Sequence, residues 1–181
     1  MKYKTIVIDP PWKQGKTGKR SVRPKQGTEL DYKTMSLKEI EDFPINDFAD
    51  KECHLWLWAT DKYLVEAHEI MKKWGFKKHC IIVWNKNTGV CPFSFQFRNE
   101  YCLFGYRGKM NLKKIGLPTN FSARVREHSR KPDEFYTIYP VQVSHAPMID
   151  IFSREKRIGF DQWGDEIQKF NIAPVSKEVK G

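Results

Sequence analysis

A run of apolar and β-branched residues, Tyr3-Lys4-Thr5-Ile6-Val7-Ile8, stops abruptly at Asp9-Pro10-Pro11-Trp12. The run has the character of a buried strand. Two consecutive prolines cannot continue a sheet ladder, because each lacks an N–H and has its φ fixed. The chain must therefore leave the sheet at Asp9 in a stiff turn. That turn carries a carboxylate, backbone carbonyls and an indole to the strand's carboxyl edge, which in open α/β sheets is where ligands bind. Asp and Pro are also ordinary turn residues, so the tetrapeptide alone is balanced between a structural turn and a site.

With 181 residues the chain is long enough for one domain with a sizeable core. We assign that domain to residues 1–170 and expect the polar residues 171–181 to fray. No apolar stretch approaches a bilayer span, and residues 1–4 lead straight into a strand rather than a signal peptide, which points to the cytoplasm. The four cysteines, Cys53, Cys80, Cys91 and Cys102, show no CxxC spacing and read as buried thiols in a reducing compartment. Cys53-His54 and His79-Cys80 suggest zinc, but adjacent strand residues point to opposite faces, so no metal site is expected. A net charge of +10 favours a polyanionic partner, nucleic acid first, and no membrane.

Between the proline turn and residue 25 lie Lys13, Lys16, Lys19, Arg20, Arg23 and Lys25, with no acidic residue and almost nothing apolar to bury. This reads as a surface loop beside the turn that clamps phosphates. Its glycines lack the GxxxxGK[ST] pattern of a P-loop. Arg124 and Arg126 form a second basic cluster within residues 112–127, where periodicity is weak. Ser36-Leu37-Lys38-Glu39 has capping-box form and predicts a short helix to about residue 43. Residues 53–59 are apolar on both faces, as in a central strand. Thr60-Asp61 caps an amphipathic helix carrying Tyr63, Leu64, Ala67, Ile70, Met71 and Trp74, with Gly75 as its stop. Residues 76–84 and 97–106 read as strands. Pro132 suits the first position of a helix reaching Tyr139. Residues 147–152 form a last apolar strand, and 160–164 lead into a terminal turn or helix. Strands alternating with helices imply an α/β sheet with crossover connections.

Asp-Pro-Pro followed by an aromatic resembles motif IV of the amino-group methyltransferases that use S-adenosylmethionine (SAM). The tryptophan form, with Tyr32-Lys33-Thr34-Met35-Ser36 downstream, is similar to the MT-A70 family of adenine-N6 methyltransferases. Further pieces follow in that family's order: Leu55-Trp56-Leu57-Trp58, Trp74-Gly75-Phe76, Asn99-Glu100-Tyr101-Cys102-Leu103, Lys131-Pro132-Asp133-Glu134 and Trp163-Gly164-Asp165-Glu166. The resemblance spans about residues 6–167. It implies an α/β, Rossmann-like, SAM-dependent methyltransferase of circularly permuted motif order, with a mostly parallel sheet and helices on both faces. The catalytic strand comes first and the cofactor strand, Met148-Ile149-Asp150-Ile151-Phe152, comes last. No GxGxxG is present, which fits a cofactor without a pyrophosphate.

The same resemblance makes Asp9, Pro10, Pro11 and Trp12 the catalytic set. The Asp9 carboxylate and Pro10 carbonyl accept from the adenine amine, and Trp12 walls the base. Lys131 reaches the methionine carboxylate of SAM, and a lysine at a helix start opposes the helix dipole, a local conflict that favours function. Asp9, Asp150, Arg154, Asp165 and Glu166 complete the cofactor contacts. The prokaryotic pattern usually has Asn at Asp165 and Trp at Phe160, departures that bear on the ribose contacts and not on the reaction. Cytosine-N4 and glutamine methylation usually begin their motifs with Ser and Asn, which leaves adenine N6. The expected substrate is nucleic acid, DNA before RNA, and a homodimer or partner subunit is compatible with so compact a domain. A non-catalytic binding subunit is the alternative, and the intact Asp9 and Lys131 speak against it.

Overall fold

The first strand, β1 (Tyr3–Ile8), lies inside the sheet rather than at its edge: β2 (Ala49–Ala59) pairs with it on one side and β6 (Met148–Ile151) on the other, both in parallel. These coordinates are a computed structural model describing residues 1–13, 33–87, 95–126 and 130–165. The other strands are β3 (Lys77–Lys86), β4 (Asn99–Arg107), β5 (Asn120–Ala123) and β7 (Asp161–Trp163), giving the order β5-β3-β4-β2-β1-β6-β7. Only β4 runs against the rest, pairing antiparallel with β2 and β3. The sheet is therefore mostly parallel, as the sequence predicts.

Alternation along the strands sends side chains to two cores. Ile6, Ile8, Leu55 and Leu57 join one, while Val7, Trp56 and Trp58 join the other. The first core is covered by α1 (Leu37–Glu41), α2 (Ile45–Phe48) and α3 (Leu64–Lys73), and the second by α4 (Asp133–Ile138) and α5 (Pro140–Val143). Strands buried on both faces read as unbroken apolar runs, which is why β1 and β2 are conspicuous in the sequence.

The capping box at Ser36 is present, with Ser36 Oγ accepting from the Glu39 N–H at 3.2 Å and Glu39 Oε2 accepting from the Ser36 N–H at 2.7 Å. Gly75 stops α3 at φ +82°, a conformation that glycine adopts without strain. Gly105 is needed for closeness instead. A Cβ there would lie 2.7 Å from Met71 Sδ, so its absence lets α3 sit tightly on β4.

Two expectations, at Thr60 and Pro132, are corrected, and two short strands join the sheet where none was expected. Thr60 makes no side-chain cap, and the helix is preceded by a 3-10 turn at Asp61–Tyr63. Residues 161–163 extend the sheet as β7, with no helix there among the described residues, because Gly164 packs against the Phe152 backbone and holds the segment beside β6. Pro132 is the N-cap of α4 rather than its first residue. β5, inside the stretch of weak periodicity, pairs parallel with β3. Cys53 and His54 do face opposite cores, His54 Nδ1 lying 2.8 Å from Ser144 Oγ. Among the described residues no cluster could hold a metal ion, and no helix is long and apolar enough to cross a membrane.

Candidate active site

From β1 the chain proceeds toward β2, whereas β6 proceeds toward β7 on the other side. The two neighbouring strands thus part at their carboxyl ends and open a crevice, the position where such sheets bind ligands. Asp9 stands there, its N–H still donating to the Ile151 carbonyl at 3.3 Å. The turn beyond it is pinned at each residue. The Trp12 N–H donates to the Pro10 carbonyl at 2.8 Å, and the Met35 N–H to the Pro11 carbonyl at 2.9 Å. Trp12 lies in the core, 5% exposed, stacked on Tyr63 at 5.1 Å with its indole N–H donating to the Trp58 carbonyl at 2.9 Å.

These contacts alter two expectations. Trp12 does not present a free face for a base: one face is covered by Tyr63, and its indole anchors the turn to the end of β2. The Pro10 carbonyl, expected to accept from an amine, already accepts from the Trp12 N–H through one of its lone pairs. A carbonyl oxygen has two, so one acceptor direction remains.

A ladder of alternating charge runs inward from Asp9. Lys131 Nζ is 2.8 Å from Asp9 Oδ2 and 3.2 Å from Glu100 Oε2, and Lys86 Nζ is 2.8 Å from Glu100 Oε1. Lys131 also lies over the Trp58 ring at 5.2 Å. Four strands and a helix entrance contribute. Asp9 follows β1, Trp58 ends β2, Lys86 ends β3, Glu100 begins the reversed β4, and Lys131 precedes the Pro132 cap of α4. Burial raises the Asp9 pKa and Lys131 pulls it back without cancelling the rise. Burial acts the same way on Glu100, but there Lys131 and Lys86 prevail and hold it at about 2. Lys131 is buried, which disfavours its charge, yet the two carboxylates raise its pKa above the usual lysine range.

Beside the ladder a shallow crevice, open to solvent, is lined by both signs of charge, among them Asp9, Lys131, Asp150, Arg154 and Arg157. Asp150, in β6 opposite Val7, is pushed up to about 7 by burial, with Arg157 and the Tyr136 hydroxyl opposing the rise. Arg157 stacks its guanidinium 3.6 Å from the Tyr136 ring centre, contacts Asp133 and Glu155, and lies 3.5 Å from Asp150 Oδ2. Phe152, immediately after β6, adopts φ +61°. A bulky side chain in that region stores strain, a feature that clusters at functional sites.

The structure thus brings Asp9, Lys131, Asp150 and Arg154 to one crevice, with Pro10 next in the chain after Asp9. Asp165 is exposed just past β7, at the same sheet edge. Lys13 and Arg124 are exposed at that edge too. Arg126 is drawn into the fold, its guanidinium 2.8 Å from Asp133 and 2.7 Å from the Lys131 carbonyl. Lys16, Lys19, Arg20, Arg23, Lys25 and Glu166, like residues 171–181, lie outside the described residues. Lys86, Tyr136 and Arg157 were not singled out from sequence. Tyr136 and Arg157 carry no local signal, whereas Lys86, a cation ending an apolar strand, is a signal that was there to find.

A mostly parallel sheet with an acid-bearing proline turn at its carboxyl edge, braced by a buried lysine, defines an α/β enzyme of the methyltransferase type. The MT-A70 family model matches residues 3–166, and the chain belongs to that family. It is similar to the Type II methyltransferase M.MunI of Mycoplasma sp, 28% identical over 98% of this chain and 84% of that protein. It is 26% identical, over 84% of its length, to the N(6)-adenosine-methyltransferase MT-A70-like of Arabidopsis thaliana. Identity is again 26%, over 87% of this chain, with the human N(6)-adenosine-methyltransferase catalytic subunit METTL3. The chain spans only 22% and 26% of those two eukaryotic proteins.

Proposed function

We propose that this chain is a SAM-dependent methyltransferase acting on the N6 amine of adenine in nucleic acid, DNA in preference to RNA. The observation that carries the reading is the Asp9 carboxylate, held by Lys131 at 2.8 Å where the chain leaves β1 for the proline turn. The lone pair of an adenine amine is delocalised into the ring, which makes it a poor nucleophile. Asp9 accepts one amine N–H through a charge-assisted bond, the stronger kind, and Pro10 accepts the other. The lone pair then localises along the direction of attack. As the N–C bond forms, the S–CH3 bond of the donor would break and a neutral thioether would leave; positive charge then arises on nitrogen, Asp9 opposes it, and the excess proton afterwards leaves to solvent. Alignment supplies most of the acceleration in such an in-line transfer.

SAM supplies an electrophilic methyl group on a sulfonium. The crevice suits it chemically: a zwitterion with a third, cationic centre matches a lining of carboxylates and cations. Lys131 carries three N–H donors. Asp9 and Glu100 accept two, and the third is assigned to the cofactor carboxylate, with Asp150, Arg154, Asp165 and Glu166 around the remainder. We read the motif order as a circular permutation, placing the catalytic strand β1 beside the late cofactor strand β6. The DNA preference is supported by the likeness to the Type II methyltransferase, of which the match covers 84%. Phosphate contacts are assigned to Lys13 and Arg124, in a cytoplasmic enzyme. A second copy or partner subunit would widen the recognition surface.

The test is transfer of a labelled methyl group from SAM to duplex DNA, single-stranded DNA and RNA, with nucleoside mass spectrometry, for wild type and Asp9→Ala. Wild type is expected to yield N6-methyladenine, most on DNA, and Asp9→Ala none. Equal product from Asp9→Ala removes Asp9 from the mechanism, and faster transfer to RNA reverses the substrate assignment.

A further inference from the structure

Val65, Ile115 and Ile158 are exposed singly, which is ordinary. Phe95 and Phe97 are different. Separated by one residue, they are 85% and 67% exposed, the most exposed aromatic side chains among the described residues. Their segment is fastened at the catalytic edge. The Lys86 N–H donates to the Arg98 carbonyl at 2.7 Å, and the Arg98 N–H donates to the Gln96 carbonyl at 2.8 Å. Two residues beyond Arg98, Glu100 joins the ladder to Asp9. Along the same edge Arg124 follows β5, Arg98 precedes β4, Lys62 follows β2 and Lys13 follows β1, all exposed.

We infer that Phe95 and Phe97 form a stacking platform for unpaired bases flanking the target adenine, with Arg98 and Arg124 on the adjoining phosphates. The inference rests on the nucleic-acid reading above and adds the surface that holds the strand. Aromatic faces stack on any base. Cations supply attraction that is independent of sequence and screened by salt. A ligand covering both features must be apolar on one side and anionic on the other, as an unstacked strand is. Extruding a base from a duplex breaks stacking, and exposed rings at the carboxyl edge of the sheet replace part of it. A second copy of this chain fits this surface poorly, because the exposed Arg98 and Arg124 of one copy would face cations of the other.

The test compares wild type with Phe95→Ala/Phe97→Ala, Phe95→Leu/Phe97→Leu and Phe95→Trp/Phe97→Trp. Binding of a fluorescein-labelled oligo(dA) strand of about 20 nucleotides is followed by anisotropy between about 50 and 200 mM salt. The alanine pair is expected to lose roughly tenfold or more in affinity, the leucine pair to lose similarly, and the tryptophan pair to bind at least as well as wild type. The salt slope of the alanine pair stays unchanged because no phosphate contact is removed, whereas Arg98→Ala lowers it by about one. Melting temperature and SAM binding by calorimetry stay at wild-type values, since neither ring belongs to the core. Affinity of the alanine pair within about twofold of wild type, or full affinity of the leucine pair, overturns the platform. So does a wild-type dimer in sedimentation that the alanine pair abolishes, which makes the surface a contact between copies. If wild type neither binds nor methylates any DNA or RNA, the underlying nucleic-acid reading fails first. If it methylates and the alanine pair binds equally well, the platform alone fails.

Discussion

Asp9 must be ionised to accept from an amine, yet burial favours its protonated form, and Lys131 only partly reverses that. Methyl transfer should therefore fall on the acid side at a pH above the ordinary aspartate range. Lys86 tunes this limb from two steps away. In Lys86→Met, the Lys131 ammonium is left as the one ladder cation between Asp9 and Glu100, so a proton is taken up more readily. The acid limb of the single-turnover rate is expected to move to higher pH, while Lys86→Arg keeps it in place. A superimposable limb in Lys86→Met would show that the ladder does not set the state of Asp9. Buried ion pairs add little net stability because desolvation offsets their attraction, so orientation and protonation are what this ladder secures. Asp9 and Lys131 could be found from sequence because the family motif names them. The surroundings of Trp12 were not legible for a physical reason: an indole after a proline turn can face ligand or core, and the packing that places it against Tyr63 is tertiary.

At the scale of elements, the seat of α3 on β4 depends on the missing Cβ of Gly105. Gly105→Ala drives a methyl toward Met71 Sδ and to 3.0 Å from the Lys77 carbonyl. Overpacking of this kind costs about 1–3 kcal/mol, measurable as a lower urea midpoint, and the cost of Gly105→Ala should be smaller in a Met71→Ala background than in wild type. Legibility followed burial. β1 and β2 announce themselves because both faces are apolar, and α1 because its cap is written in Ser36 and Glu39. β5 and β7 are strands of four and three residues at the two sheet edges, with alternately exposed positions and no apolar run to betray them. What makes them strands is a partner already in place, and a window along the sequence does not contain it. The Asp133–Arg157–Glu155 contacts escape sequence reading likewise, since they join the start of α4 to the segment following β6.

For the whole molecule, the crevice is held together against an electrostatic penalty that depends on pH. Asp150 titrates near 7 in the fold against an ordinary value of 3.8, so its protonated form is the one the folded state prefers. Its contribution to stability is complete below the ordinary value and is lost as the pH climbs through about 7. Asp150→Asn should therefore flatten the fall in urea midpoint between about pH 4 and 7. An unchanged slope would place the penalty elsewhere. Glu100, held near 2, runs the other way and loses its contribution only as pH falls below its ordinary 4.5. The central position of β1 has a further consequence, for synthesis. The strand that presents Asp9 bonds across to a segment 140 residues later in the chain. At ribosomal rates of about 5–20 residues per second, it waits on the order of ten seconds for its second neighbour. Throughout that interval the nascent chain carries an apolar ribbon with one unpaired border, and this is the stage at which a chaperone or a misplaced strand can compete for it.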